Sequence, residues 1–183
     1  GIEIPETAGL LPENPQGQDQ APWAAYGQGT QLYSPLQLAN YVATLVSGGK
    51  HCQAHLLKAA KSYDNSAVVA AGNTEPLHTI EIGDENLNAV KLGMKGLVEG
   101  TLSPYFRNCV VSAGAKTGTS QVRADTKNHG VFICFAPYDD PEIALAIAIE
   151  RADSGAALAS TAVNILNAYF TPSEDSATIT GEN

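Results

Sequence analysis

Between Glu142 and Glu150 the chain alternates strictly. Ile143, Leu145, Ile147 and Ile149 fall on one side of an extended segment, and Ala144, Ala146 and Ala148 on the other. Successive side chains of a strand point to opposite faces, so this pattern specifies a strand whose two faces are both apolar. Both faces therefore need cover, and the alanine face is the one expected to let a helix approach closely. The expected helix is the last in the chain, about Gly155 to Phe170, with Leu158, Ala162, Ile165, Leu166 and Tyr169 available for the sheet. A second strand, Val131 to Ala136, precedes it through Pro137 to Pro141, where Asp139-Asp140 reads as a hairpin turn. An antiparallel sheet packed with helices, an α+β arrangement, is the expected core.

Upstream, Ser34 is placed as an N-cap, Pro35 at N1 and Gln37 at the N3 position of a capping box. Leu36, Ala39, Val42 and Leu45, with Leu38 and Tyr41 beside them, make the apolar face of that helix, and Gly48-Gly49 ends it. The two-glycine loop Tyr26 to Thr30 leads into it. His55 to Tyr63 fits either helix or strand, Asp64-Asn65 reads as a turn, and Ser66 to Ala71 and Leu77 to Ile82 read as strands. A second helix is expected from an Asp84 cap to Gly100, with Leu87, Val90, Met94, Leu97 and Val98 on one face. Cys109-Val110-Val111 is a strand-like run, and Arg123 to Asn128 is a polar connection. Residues 1–22 read as irregular surface chain, and the polar tail from Thr171 is expected to be disordered.

Length and charge narrow the function classes. A chain of 183 residues with 44% hydrophobic and 16% charged residues can form one domain with a real core, burying roughly 70% of its unfolded surface. A formal net charge of −9 argues against nucleic acid and against an acidic membrane surface. The longest apolar runs fall well short of the ~18 residues of a membrane span, and no signal-peptide pattern opens the sequence. Cys52, Cys109 and Cys134 have neither CxxC nor zinc-ligand spacing, and their odd number rules out a full disulfide framework. Cys109 and Cys134 read as small core residues. No metal or other cofactor is indicated.

The stretch that carries chemistry is Ala113-Gly114-Ala115-Lys116-Thr117-Gly118-Thr119-Ser120-Gln121-Val122. Lys116 is a local positive charge among 10 basic and 19 acidic residues. Thr117 and Thr119 supply hydroxyls that can donate to a carboxylate, and Gly118 lets a ligand backbone lie against the strand. A phosphate loop would need glycines where Val110 and Ala115 stand, so it is excluded. The bland alternative is an exposed strand ending in a glycine turn. His51 and His55 have i,i+4 spacing, but Cys52 occupies the glutamate position of HExxH, so a solvated pair is expected there. His129 is placed in a loop or on a cleft rim.

Taken in order, Gly27-Gln28-Gly29-Thr30, Ser34-Pro35-Leu36-Gln37-Leu38-Ala39-Asn40, the Gly48-Gly49 helix end, Lys116-Thr117-Gly118-Thr119, Val131-Phe132-Ile133-Cys134-Phe135-Ala136-Pro137 and the terminal Ala168-Tyr169-Phe170 resemble the C-terminal half of the transpeptidase domain of class B penicillin-binding proteins. The resemblance covers about residues 1–170, leaving 171–183 as the tail. It implies a partial penicillin-binding-protein/β-lactamase-like fold with about three of five core strands present. It also implies serine acyl transfer through three boxes, S-x-x-K, S-x-N and K-T-G. Lys116 and Thr117 would belong to the third box. Lys116 would give positive potential for a substrate or β-lactam carboxylate and help the proton relay. Thr117 and Thr119 would bind that carboxylate, Thr119 N–H would be an oxyanion donor, and Gln28 would be supporting.

The first two boxes should precede the glycine loop, yet residues 1–26 contain no serine. Ser47-Gly48-Gly49-Lys50 fits S-x-x-K in letters, and Tyr63-Asp64-Asn65 fits a middle-box variant. A Gly-Gly helix end between Ser47 and Lys50 defeats the one-turn geometry the pair requires. The expectation is thus a peptidoglycan D,D-transpeptidase segment that is inactive alone, with its N-terminal half and a stem peptide or β-lactam as partners. The parent would be extracytoplasmic and membrane-anchored. The alternative is a non-catalytic peptide- or β-lactam-binding sensor module. Two missing strands would also leave an open sheet edge that promotes homodimerisation.

Overall fold

Ser34 introduces the first helix, α1 (Pro35–Val46), and both halves of the expected capping box are closed. Ser34 Oγ accepts from Gln37 N–H at 3.2 Å, and Gln37 Oε1 accepts from Ser34 N–H at 2.8 Å. Gln37 also donates to Ala8 O at 2.9 Å, so the cap reaches back to the preceding segment. Val42 and Leu45 form the buried part of the helix face. Gly48 and Gly49 end it in the left-handed region, at φ 76 and 85. Gly49 has a second constraint, because a Cβ there would stand 2.2 Å from the Ile80 carbonyl oxygen. Ile80 N–H donates to Gly49 O at 2.9 Å.

The computed structural model describes residues 2–11, 22, 26–121 and 126–171. It divides into two units, Gly1–Leu87 and Asn88–Asn183. In the first unit, β1 (Lys50–Cys52), β2 (Ala59–Lys61), β3 (Val68–Ala71) and β4 (Pro76–Thr79) form two antiparallel ribbons, β1 with β4 and β2 with β3. The ambiguous stretch from His55 thus contributes a strand. The two expected strands are present but shorter and shifted. The Asp64 turn accounts for the late start of β3: its carboxylate accepts from the Ser62 hydroxyl at 2.6 Å, the Ser66 hydroxyl at 2.8 Å and Ser66 N–H at 3.2 Å. These bonds, the Ser62 one foremost, pull the Asp64 carboxyl down to about 2.

The N-terminal segment is irregular in its described part but tied down. Leu10 and Leu32 form an isolated antiparallel bridge. Glu3 accepts from Leu56 N–H at 2.9 Å, His55 Nδ1 at 3.1 Å and Leu57 N–H at 3.4 Å. The Leu56 bond is the main reason its carboxyl is held down to about 2.

Helix α2 (Asp84–Glu99) contains the boundary between the units. Leu87 N–H donates to Gly83 O at 3.1 Å, so Asp84 lies in the first turn rather than capping it. Met94 and Val98 are buried, whereas Val90 is 46% exposed. After the single-turn α3 (Ser103–Phe106), the expected strand-like run at Cys109 is not a strand. Asn167 takes the place of a neighbouring strand there: its Oδ1 accepts from Val110 N–H at 2.9 Å and its Nδ2 donates to Asn108 O at 3.0 Å.

Strands β5 (Gly114–Ser120), β6 (His129–Ala136) and β7 (Ile143–Ile149) form an antiparallel sheet in that order. A 3₁₀ turn, Gly155–Leu158, leads into α4 (Ala159–Phe170). Direct cross-strand partners share a face. Phe132 opposes Ile147, Cys134 opposes Leu145 and Ala136 opposes Ile143. These residues pack with Leu158, Ala159, Ala162, Val163 and Leu166. The last helix therefore covers the isoleucine and leucine face, not the alanine face as expected. The small residues that allow close approach are on the helix: Ala159 and Ala162 are both 0% exposed. The 3₁₀ start also shifts the helical phase, so Val163 is buried while Ile165 and Tyr169 remain 38% and 51% exposed. On the alanine face, Phe135 covers Gly114, where a Cβ would meet the ring at 2.5 Å. Lys91 and Lys95 of α2 lie 5.6 and 4.7 Å from the Tyr138 ring centre.

The Arg123 to Asn128 connection is described only from residue 126, and the polar tail beyond residue 171 lies outside the described residues. No described helix is long and apolar enough to cross a membrane.

Candidate active site

Lys116, Thr117, Gly118 and Thr119 are consecutive residues of β5, an edge strand of the described sheet. Lys116 opposes Ile133, Thr117 opposes Phe132, Gly118 opposes Val131 and Thr119 opposes Gly130. By alternation, Thr117 and Thr119 share the face of Ala115, which is buried beneath α4. Lys116 and Gly118 share the opposite face, with Val131, Ile133 and the alanines of β7.

The backbone brings the two sets together at the strand edge. In an antiparallel pair each residue aims its N–H and C=O at the same side, and successive residues alternate. Gly118 N, Gly118 O and Val131 O converge on a single point over the β5–β6 seam, so Gly118 faces β6. Thr117 and Thr119 then turn their N–H and C=O groups away from β6. Lys116 Nζ donates to the Thr117 carbonyl, which carries the ammonium to that same side. An exposed cation, two hydroxyl-bearing residues and a backbone donor thus line a single edge. Such an edge can bind a carboxylate and stabilise charge developing on a nearby carbonyl oxygen.

The floor beneath this edge is built by residues distant from it in sequence. Arg151 and Asp153 adopt left-handed φ values of 57 and 67 after β7. Arg151 N–H donates to His129 Nδ1 at 3.1 Å, and Asp153 N–H donates to Asn128 O at 3.1 Å. Lys127 and Asp153 form an exposed ion pair at 2.9 Å. Ser154 Oγ then caps Ala156 N–H at 3.2 Å and delivers Gly155 to the underside of β5 and β6. His129 opens β6, with its ring nitrogen bonded to a loop backbone rather than to a neighbouring side chain. The Ser154-Gly155 pair was readable as a helix start, but its contact with a strand distant in sequence was not.

The other candidates lie elsewhere. Ser47 ends α1, and its hydroxyl has two carbonyls within hydrogen-bond reach, Thr44 O at 3.2 Å and Lys50 O at 3.0 Å. It therefore stands past a helix end, where an S-x-x-K nucleophile would stand at a helix start. Tyr63 is fully exposed at the β2–β3 hairpin, and Asp64 and Asn65 form its turn. His51 and His55 are not a solvated pair. His51 Nδ1 is 3.2 Å from Thr44 Oγ1 and its ring lies 4.8 Å from that of His78, whereas His55 turns to Glu3. β1 separates their directions, because the chain there is extended rather than helical. No group of three metal-ligating side chains occurs among the described residues. All three cysteines are free. Burial, with a smaller contribution from Cys109, pushes the Cys134 thiol up to about 12.

Comparison with known proteins gives a consistent picture. A family model described as penicillin binding protein transpeptidase domain matches residues 3–170. A peptidoglycan D,D-transpeptidase MrdA from Haemophilus influenzae is 28% identical over 93% of this chain and 30% of its own length. The chain thus spans less than a third of that relative. Pseudomonas aeruginosa PBP2, solved in complex with WCK 5153, superposes with a TM-score of 0.71 at 25% identity, covering 92% of this chain and 39% of that one. Helicobacter pylori PBP2, solved in complex with MreC, shares the fold with a TM-score of 0.72 at 24% identity, over 93% of this chain and 32% of that one.

Proposed function

The chain belongs to the penicillin binding protein transpeptidase family, and from that premise we propose that it forms the carboxylate-recognising wall of a peptidoglycan D,D-transpeptidase. The observation that carries this reading is the edge of β5. There Lys-Thr-Gly-Thr places the Lys116 ammonium beside the Thr117 carbonyl on the side to which Thr119 N–H points. Lys116 supplies positive potential for the terminal carboxylate of a stem peptide or a β-lactam and assists proton transfer. The Thr117 and Thr119 hydroxyls donate to that carboxylate at the rim of the sheet. Gly118 allows the substrate backbone to lie flat along the strand.

When a serine oxygen attacks the scissile carbonyl, negative charge develops on the carbonyl oxygen. Thr119 N–H stabilises it, together with the N–H of the nucleophile. Each such donor contributes on the order of 10²–10³ in rate. The nucleophile and the middle box come from outside residues 1–183, so the chain acts with the segment that carries them and does not turn over alone. That assembly works outside the cytoplasm, attached to the membrane.

The test is intact mass after incubation with excess benzylpenicillin. The 183-residue chain is expected to gain no adduct. The full-length protein is expected to gain one, at a serine outside this segment, and Lys116→Ala should slow its formation by 10² or more. A stable adduct on the chain alone would overturn the reading, and peptide mapping would identify the serine used.

A further inference from the structure

We propose that Gly155 is a positioning residue for the Lys116–Thr119 strand and sets where Thr119 N–H stands. The inference rests on the transpeptidase reading above and goes beyond it, because Gly155 lies outside all three family boxes. A Cβ on Gly155 would lie 2.3 Å from Val131 O, 2.4 Å from Gly118 O and 2.8 Å from Gly118 N. All three are backbone atoms of the sheet, and none can swing aside as the end of a side chain could. Gly155 is not among the glycines with positive φ. Glycine is needed here for space and not for an unusual backbone conformation.

The loop that carries Gly155 cannot retreat. Behind Gly155, Leu158 and Ala159 are 3% and 0% exposed and anchor the turn in the core. Before it, the Ser154 cap and the Asn128 and His129 bonds hold the loop. At Gly130, the partner of Thr119, a Cβ would meet Ser154 O at 2.9 Å, so the loop is tight against β6 as well. β6 has a strand on each side, whereas β5 has one among the described strands. A methyl group at Gly155 therefore displaces β5, and it does so at the peptide joining Gly118 to Thr119, whose nitrogen is the assigned oxyanion donor. Mislocating a reacting group by ~1 Å costs up to about 10²-fold in rate.

The experiment uses Gly155→Ala in the full-length protein and follows acylation by a fluorescent penicillin under stopped flow. The acylation rate constant is expected to fall 10- to 100-fold while the dissociation constant of the initial complex changes less than threefold. Leu166→Ala, which loosens the same core without adding volume against the Gly118–Thr119 peptide, serves as the comparison. A Gly155→Ala rate constant within twofold of the unsubstituted protein overturns the proposal, as does a loss no larger than that of Leu166→Ala. Should Gly155→Ala fail to fold, Ser154→Ala loosens the turn without adding volume and is expected to lower the rate constant two- to fivefold; no change overturns the proposal.

A separate arm measures backbone amide exchange of the 183-residue chain. Gly155→Ala, or Ser154→Ala in its place, should accelerate exchange at Gly118, whose N–H faces β6, tenfold or more and leave the amides of α1 unchanged. If the unsubstituted full-length protein forms no penicillin adduct, the transpeptidase reading fails, and the amide arm still decides whether Gly155 sets the strand.

Discussion

Leu166→Ala tests the way the last helix meets the sheet. Leu166 is 0% exposed and packs in one cluster with Phe132 and Cys134, themselves 0% exposed. Truncation removes the whole transfer contribution of a buried leucine and leaves a cavity whose walls belong to a hydrogen-bonded sheet. Such walls relax little, so the cost should fall in the upper part of the usual range, about 3–5 kcal/mol. For a unit of this size that lowers the midpoint by roughly 4–8 °C per kcal/mol. The partner substitution is Ala146→Leu, on the face the last helix does not touch. Its side chain is only partly buried, and the expected change is within ~0.5 kcal/mol. Both are read by urea unfolding followed by far-UV circular dichroism, with an unchanged m-value required for the comparison. If Ala146→Leu costs ~1–3 kcal/mol, the usual overpacking penalty, and Leu166→Ala costs less than ~1 kcal/mol, the helix lies on the alanine face and the packing described here is wrong.

Three further outcomes follow from the same structure. In a thiol-reagent titration of the native chain, Cys52 and Cys109 should react first, and Cys134, buried with its thiol pushed up to about 12, should react only as the sheet unfolds; simultaneous labelling of all three would contradict this. The Glu3 carboxyl is held at about 2 against an ordinary 4.5, so its contribution to stability is present above 4.5 and is lost as pH falls from 4.5 towards 2. The midpoint difference between the unsubstituted chain and Glu3→Gln should therefore be seen at neutral pH and vanish near the low end of that window; a difference independent of pH would remove Glu3 as its source. We also propose that the edge of β7, which has one neighbour among the described strands, pairs with a second copy of this chain. Ile149, 43% exposed at the end of that strand, is the place to block it: Ile149→Lys should shift light scattering towards monomer, and a chain already monomeric at high concentration would refute the pairing.

What could be read in advance was whatever depends on neighbours in sequence. The Ser34 cap, Gly48-Gly49, the Asp64 turn and the hairpin between β6 and β7 are local contests between a few side chains and the adjacent backbone. Each is decided by residues within six positions of one another. The failures share the opposite property. Cys109-Val110-Val111 has strand composition, but Asn167 reaches it from the last helix and takes the hydrogen bonds a strand would have made. Which face of β7 receives α4 depends on the phase of that helix, and the phase was reset by a 3₁₀ turn that hydrophobic spacing does not reveal. The solvated His51–His55 pair assumed helical spacing in a stretch that is extended.

The candidate site divides along the same line. Lys116 to Thr119 was legible because its chemistry is written in consecutive residues of one strand, and an edge strand offers alternate backbone groups to a ligand whatever lies behind it. Gly155 was not legible. Its role is to be small at one point, and only the neighbour defines that point. A glycine before a helix ordinarily signals a turn; here the turn residues are Arg151 and Asp153, which take the left-handed conformations, and the glycine supplies clearance. The chemically active residues can therefore be left unsubstituted while the geometry of the edge is altered from the loop packed on the face that Thr119 and Gly130 share. A substitution at Gly155 should separate binding of a carboxylate, which depends on the Lys116 ammonium and the threonine hydroxyls, from stabilisation of the oxyanion, which depends on the position of a single backbone N–H.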